Sequence, residues 1–231
     1  MKPAADHSTA LTGADPAWMA NDLPDAWPDR LSWTRPRDLW LLLRKLLLRR
    51  LGRVELPRGL PLRVPLPRYL LLEFHNLPNG NYSKKITRGY STGFDRVMLG
   101  EMGRARAALA ACFAGCRRVL DLGCGAGYSS QALADAGVAE ITGLDASPYL
   151  LQHAARQFPG PRYLQGLAED TQLPAGAFDG VCACFLFHEL PPRYAKEVLA
   201  ECHRLLPAGR RLAILEPASE QFFGRPGELW R

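Results

Sequence analysis

The chain lacks any apolar run of the roughly 20 residues that a membrane-spanning helix needs. Its first residues, Met1-Lys-Pro-Ala-Ala-Asp-His, lack the charged-then-apolar layout of a secretory leader. Its six cysteines follow no disulfide-framework spacing and read as reduced, small apolar residues. Cys112 and Cys116 share a helix face, but two ligands do not make a site and no His/Cys pair follows at zinc-finger spacing, so no metal is expected. The basic stretch is not interleaved with aromatics in the manner of a single-strand binder, and no nucleic-acid partner is expected. What remains is a chain of 231 residues, long enough for one full α/β core with an N-terminal extension. A cytoplasmic location is expected, with peripheral membrane contact left open.

The net charge of +6 is unevenly placed. Between Arg35 and Arg68 there are ten Lys/Arg against two acids, Asp38 and Glu55, so that stretch carries +8 and the remainder −2. Within it, Asp38–Leu51 is a strong helix former with Leu39, Trp40, Leu43, Leu46, Leu47 and Leu51 on one apolar arc. Two readings are open: a helix packed on its own domain, or a basic amphipathic helix at a membrane interface through residues 38–53. Proline-punctuated chain follows to Pro67, where helix is prevented. Asn76-Leu-Pro-Asn-Gly-Asn81 is turn chemistry.

The densest signal is Val119-Leu-Asp-Leu-Gly-Cys-Gly-Ala-Gly-Tyr128. Apolar residues flank Asp121 as in a buried parallel strand, and Ser129–Ala136 reads as a helix after the glycines. Backbone without Cβ lets a ligand approach closely, and the helix N-terminus favours electronegative ligand atoms. The spacing is G-x-G-x-G, not the G-x-G-x-x-G of dinucleotide sites. Asp121 two residues ahead of the first glycine would repel a pyrophosphate but attract a sulfonium and an ammonium, which favours S-adenosyl-L-methionine. A short strand then ends at Asp145, about twenty residues on, where an acid accepts from both ribose hydroxyls.

Val119–Ser130, Ile141–Pro148, Phe178–Leu190 and Leu205–Pro217 together resemble the class I S-adenosylmethionine-dependent methyltransferases, in order and spacing, over about half the chain. Within them the similarity is to the type 11 group, which includes the ubiquinone and menaquinone C-methyltransferases. Strands are expected at Arg117–Leu122, Glu140–Leu144, Arg162–Gln165, Gly180–Leu186 and Arg211–Leu215, alternating with helices. Right-handed crossovers then give a Rossmann-like doubly wound parallel sheet of order 3-2-1-4-5. The antiparallel hairpin that closes this fold has no counterpart in Ala218–Arg231, where Phe222, Phe223, Leu229 and Trp230 can only begin a helix. Truncation, replacement by the N-terminal segment, or a hairpin from a second subunit are open, and an exposed fifth strand would favour a homo-oligomer.

Three parts are expected: a loosely ordered 1–34; residues 35–99 with the basic helix, the proline-rich connector and a lid; and a cofactor-binding domain over 100–231. The resemblance implies cofactor contacts from Asp121, Gly123, Cys124, Gly125, Gly127, Asp145, Ala146, Ala168, Glu169 and Cys184. The family's usual acid ahead of Glu169 is Leu167 here, so Glu169, Asp170 or backbone alone reads the adenine. Tyr82, Tyr90 and Phe94 are candidates for the lid or for core packing. His188 and Glu189 follow the fourth strand; His188 can take a proton, orient the acceptor or be structural, and Glu189 can act similarly or cap a helix. Methyl transfer by in-line displacement to a small-molecule or lipid-like acceptor is the expected function, with a catalytically silent S-adenosylmethionine-binding partner protein as the alternative.

Overall fold

The computed structural model describes residues 22–32, 34–48 and 52–217. Its helices are α1 (Pro36–Leu48), α2 (Lys84–Val97), α3 (Glu101–Ala111), α4 (Tyr128–Asp135), α5 (Pro148–Gln157) and α6 (Pro192–Leu205). Its strands are β1 (Arg118–Leu122), β2 (Glu140–Asp145), β3 (Arg162–Gln165), β4 (Gly180–Cys184) and β5 (Arg211–Leu215). The strands form one parallel sheet in the order β3-β2-β1-β4-β5. Both the order and the bounds of β3, β5 and α5 match the sequence expectation.

Both faces of the sheet are covered, as parallel strands require. Leu120, Leu122, Leu144, Val181 and Ala183 pack on Val198, Cys202 and Leu205 of α6. The alternate positions Val119, Ile141 and Cys182 pack on Leu109, Phe113 and Leu133 from the α3 and α4 side. Each fully buried Leu contributes about 1.5–3 kcal/mol, so this two-sided burial fixes the strand ends on which the site stands. β4 stops at Cys184 and not at Leu186, because Phe185 takes a left-handed φ of 57° that turns the chain out of the sheet.

The N-terminal part is held by an apolar cluster in which Leu23, Val54 and Tyr82 pack on Tyr149, Leu151 and Tyr163, and by side chains that bond backbone. The buried Asp29 carboxylate accepts from Ser83 Oγ (2.7 Å) and from the N–H groups of Lys84 (3.1 Å) and Lys85 (2.8 Å). It thereby satisfies donors at the start of α2, where negative charge is favoured. Gln165 Oε1 accepts from the N–H groups of Arg63 (2.7 Å) and Val64 (3.0 Å), which ties the proline-rich connector to β3. The Asn79 side chain bridges Glu55 and Tyr82.

Several expectations change. Residues 22–31 are not loose: Leu23, Ala26 and Asp29 are buried, and Trp27–Arg30 is a short 3-10 turn; residues 1–21 lie outside the described residues. The stretch 84–95, for which a lid and core packing were both open, is most of α2, with Thr87 and Ser91 buried. Its polar run with Gly89 and Gly93 hid the helix, whose N-terminus is capped from Asp29. α1 leaves Leu39 (49% exposed), Trp40 (58%) and Leu43 (52%) uncovered. The side chains of Leu46 and Leu47, residue Leu51, the Phe94 side chain and all of 218–231, including Phe222, Phe223, Leu229 and Trp230, lie outside the described residues.

Candidate cofactor cleft and its rim

The carboxyl ends of β1, β2 and β4 open into one cleft. Gly123, Leu144, Asp145, Ala146, Ser147, Ala168, Leu186 and Glu189 line it, and Tyr69, Phe74, Asn81 and Tyr82 cover it from the N-terminal side. Its inner void is about 90 Å³ and its full extent to the open mouth about 650 Å³.

The three glycines divide their roles. Gly125 has φ +53° and open space where a Cβ would stand, so its backbone is bare toward a ligand. Gly127 has φ +85°, and a Cβ there would lie 2.7 Å from Tyr163 Oη and 2.9 Å from Ala154 Cβ. It lets α4 pack on β3 and α5, and that packing accounts for the glycine. A Cβ on Gly123 would meet Leu186 at 2.8 Å, so Leu186 closes this side of the turn. Cys124 is buried beside the turn and does not line the cleft; burial holds its thiol well above the ordinary range.

Asp145 holds the turn in place. Its Oδ2 accepts from Gly125 N–H (3.0 Å) and its Oδ1 from Ser147 N–H (2.8 Å). Burial pushes its carboxyl up to about 6 against those two bonds, with Glu189 and Asp121 adding to the rise. Asn81 brings an acceptor to the same wall: its Oδ1 is buried without a hydrogen-bond partner. Tyr82 is buried beside it, its hydroxyl proton held more tightly by burial and by Asp145.

Asp121 departs from expectation. It is wholly buried, with Oδ2 accepting from Ser129 Oγ (2.7 Å) and Ser130 Oγ (2.6 Å) and Oδ1 from Cys182 Sγ (3.3 Å). It fastens α4 to β1 and β4 and does not line the cleft. Glu169 also turns aside: both carboxylate oxygens accept from Tyr69 Oη at 2.9 Å, while Ala168 lines the cleft. Cys184 is half-buried outside the lining, its thiol pushed up to about 12 by burial. Ala146 lines the cleft as expected.

At the rim, β4 runs into a 3-10 turn, Phe187–Glu189. His188 Nδ1 lies 2.7 Å from Glu216 Oε2, and Glu216 Oε1 accepts from the N–H groups of Leu186 (2.9 Å) and Phe187 (2.6 Å). Burial works against charge on Glu216, but the His188 and backbone bonds outweigh it and hold its carboxyl below the ordinary range. A carboxylate at that distance makes Nδ1 the donor, so that in the neutral ring Nε2 is the acceptor. Glu189 Oε1 lies 2.7 Å from His75 Nε2. Tyr90 stacks on His75 at 5.6 Å, and burial together with Glu189 pushes its hydroxyl up to about 12. Tyr90 thus reaches this rim and not the cleft wall. His75, Asn81 and Glu216 escaped sequence reading; Asn81 sits in the noted turn, but nothing local marks which way its amide points.

A bare glycine turn, an acid at the end of the second strand and an acidic cleft at the reversal of strand order define the class: a Rossmann-like domain built for a nucleoside cofactor carrying positive charge. The donor set fits S-adenosylmethionine, since Asp145 can accept from its ribose hydroxyls, Glu189 suits its cationic end and Asn81 Oδ1 awaits a donor. Residues 119–209 match the family model of the methyltransferase domain, which with the 3-2-1-4-5 sheet supports a class I S-adenosylmethionine-dependent methyltransferase domain in this part of the chain. The uncharacterized methyltransferase sll0829 of Synechocystis sp. is 39% identical over 100 residues, 43% of this chain and 47% of that protein. A demethylmenaquinone methyltransferase of Thermotoga maritima is 34% identical over 112 residues, 47% of this chain and 48% of its own length. A SAM-dependent methyltransferase from Archaeoglobus fulgidus superposes with a TM-score of 0.50 at 25% identity, over 59% of this chain and 65% of that one. The chain spans about half the length of the curated relatives it matches.

Proposed function

We propose that this chain transfers a methyl group from S-adenosylmethionine to a small-molecule or lipid-like acceptor. The observation that carries the reading is the wall where Asp145, which accepts from the N–H of the open turn at Gly125, lines the same cleft as the unsatisfied Asn81 Oδ1. Bound there, the cofactor supplies a methyl already activated on a sulfonium, so little acid–base help is required. Gly125 and Ala146 hold it by backbone and close approach, Asp145 accepts from its hydroxyls, and Asn81 accepts a further donor. Tyr82 and the Tyr69–Phe74 stretch exclude water. His188, steadied by Glu216, and Glu189 orient the acceptor at the rim. The inner void is too small for a whole nucleoside with its tail, so the 69–82 cover moves outward on binding.

The exposed Leu39, Trp40 and Leu43 of α1, with exposed Arg37 and Arg44 and the Arg44 guanidinium 5.5 Å over the Trp40 ring, support contact with an anionic lipid surface. The exposed Leu212 and Ile214 on the edge strand β5 support self-association there.

Tritiated methyl transfer to a cell lipid extract tests the reaction. Label in an extracted lipid or quinone supports it; binding of S-adenosylhomocysteine without any transfer removes the enzyme and leaves a silent binding protein. Liposome co-sedimentation at two salt concentrations tests α1, with unchanged sedimentation after deletion of residues 35–53 removing the lipid contact.

A further inference from the structure

We propose that His75, His188 and Glu189 form a binding site for a divalent transition-metal cation of the zinc type at the rim of the cleft. One ligand atom from each of the three lies within 4.8 Å of the other two. Glu189 Oε1 is 2.7 Å from His75 Nε2 and 4.0 Å from His188 Nε2. Ligand atoms around a tetrahedral zinc with bonds of about 2.0–2.1 Å stand about 3.3 Å apart, between those two values. Side-chain rotations that move the ligand atoms by up to about 1.5 Å therefore bring the three to coordinating distance. The cation replaces the hydrogen bond between His75 Nε2 and Glu189 Oε1: a neutral His75 ring carries its proton on Nδ1 instead, and an imidazolium releases its Nε2 proton to solvent.

The surroundings prepare the ligands. Glu216 accepts from His188 Nδ1, which fixes the ring and turns Nε2 toward Glu189; a carboxylate behind a ligating imidazole raises its basicity and holds its tautomer. Tyr90 stacks on the His75 ring, and Phe185 stands edge-on to His188 at 6.0 Å. Two imidazole nitrogens and one carboxylate oxygen form the donor set of an open zinc site, which keeps a position for water or substrate. The three residues come from the N-terminal cover and the turn after β4, so sequence spacing cannot show them together.

Because Glu189 also lines the cleft, the remaining coordination position lies where an acceptor would stand. The acceptor class is then a molecule whose hydroxyl or phenol oxygen can ligate the cation. That clause rests on the methyl-transfer reading; the metal site does not.

The test is a cobalt(II) titration of the full chain, followed by visible absorption, without any adenosyl compound. One equivalent should bind with the spectrum of nitrogen and oxygen ligands. Affinity should fall on the order of a hundredfold in Glu189→Gln and in His75→Asn, the latter chosen because Asn tolerates the left-handed backbone of His75 (φ 55°). Glu216→Gln should weaken binding by about tenfold. Circular dichroism and S-adenosylhomocysteine binding check that the variants are folded. Unchanged affinity in folded His75→Asn and Glu189→Gln, or a thiolate charge-transfer band abolished by Cys112→Ser, overturns the site. Cobalt binding as expected alongside no S-adenosylhomocysteine binding would instead sink the cofactor reading and leave the metal site standing.

Discussion

The two halves of the site are built by different means. The sheet half, residues 118–215, forms its cradle from backbone: parallel ladders set the strand ends, and Gly123 and Cys124 N–H both donate to Leu144 O. The N-terminal half, residues 22–97, is tied together internally by the side chains of Asp29 and Asn79, and docks on the sheet half through Gln165 and one apolar cluster of Leu23, Val54 and Tyr82 against Tyr149, Leu151 and Tyr163. A backbone cradle braced on two-sided burial is rigid, whereas a cover docked through one smaller cluster and a few side-chain bonds opens at lower cost. The first suits recognition of a fixed cofactor, and the second suits its admission and the choice of acceptor.

The largest effect should come from breaking the rigid half. Gly127→Val forces a β-branched residue to φ +85° and drives its Cβ into Tyr163 and Ala154. It should cost about 3 kcal/mol or more in chemical denaturation, at the limit of folding. Asp29→Ala leaves several donors unsatisfied and should cost about 2–3 kcal/mol. Hydrogen exchange should rise across 22–32 and 83–97 while the strands keep their protection; equal loosening of both halves would refute the division drawn above.

Gly125→Ala sharpens the contrast within the turn. With open space around it, it should lose only about 1 kcal/mol of stability for its positive φ. S-adenosylhomocysteine affinity should nevertheless fall tenfold or more by calorimetry. Equal losses of stability in Gly125→Ala and Gly127→Ala would erase the distinction between a ligand-facing and a packing glycine.

Asp145 predicts a pH signature. Its carboxyl, raised to about 6 in the fold, takes up a proton as pH falls through that value and loses acceptor capacity. S-adenosylhomocysteine affinity should decline below pH 6 and level off above 7, a profile that Asp145→Asn flattens. Stability of the cofactor-free protein runs the other way. The folded state holds this proton more tightly than the unfolded chain, so this group's contribution is present below about pH 4 and is lost as pH rises toward 6.

The smallest effect belongs to α1. Replacing Leu39 and Leu43 by Glu should change stability by less than about 0.5 kcal/mol, because both are half exposed. Liposome binding at low salt should nevertheless drop.

The sheet half was legible because its signals are local. Buried strands announce themselves as short apolar runs, and Gly-rich turns and Ser147-Pro148 mark helix starts, the Ser147 hydroxyl accepting from Leu150 N–H as a cap does. The N-terminal half was not legible because its order is set by contacts across long stretches of chain, such as Arg63 to Gln165. The same limit explains the site. Asp145 was expected from a strand end, and Ala146 and Ala168 from the family resemblance, and all three line the cleft, whereas Asp121 is turned by the strand's alternation to the helix side, where Ser129 and Ser130 donate to it. His75 and Glu216 became part of the rim only through the fold.

The most direct test of the cofactor cleft is hydrogen exchange of the full chain with and without saturating S-adenosylhomocysteine. Slower exchange at residues 123–126 and 145–147, joined by changed exchange in the 69–82 cover, is the predicted result. Protection elsewhere with none at the Gly125–Asp145 wall would contradict it.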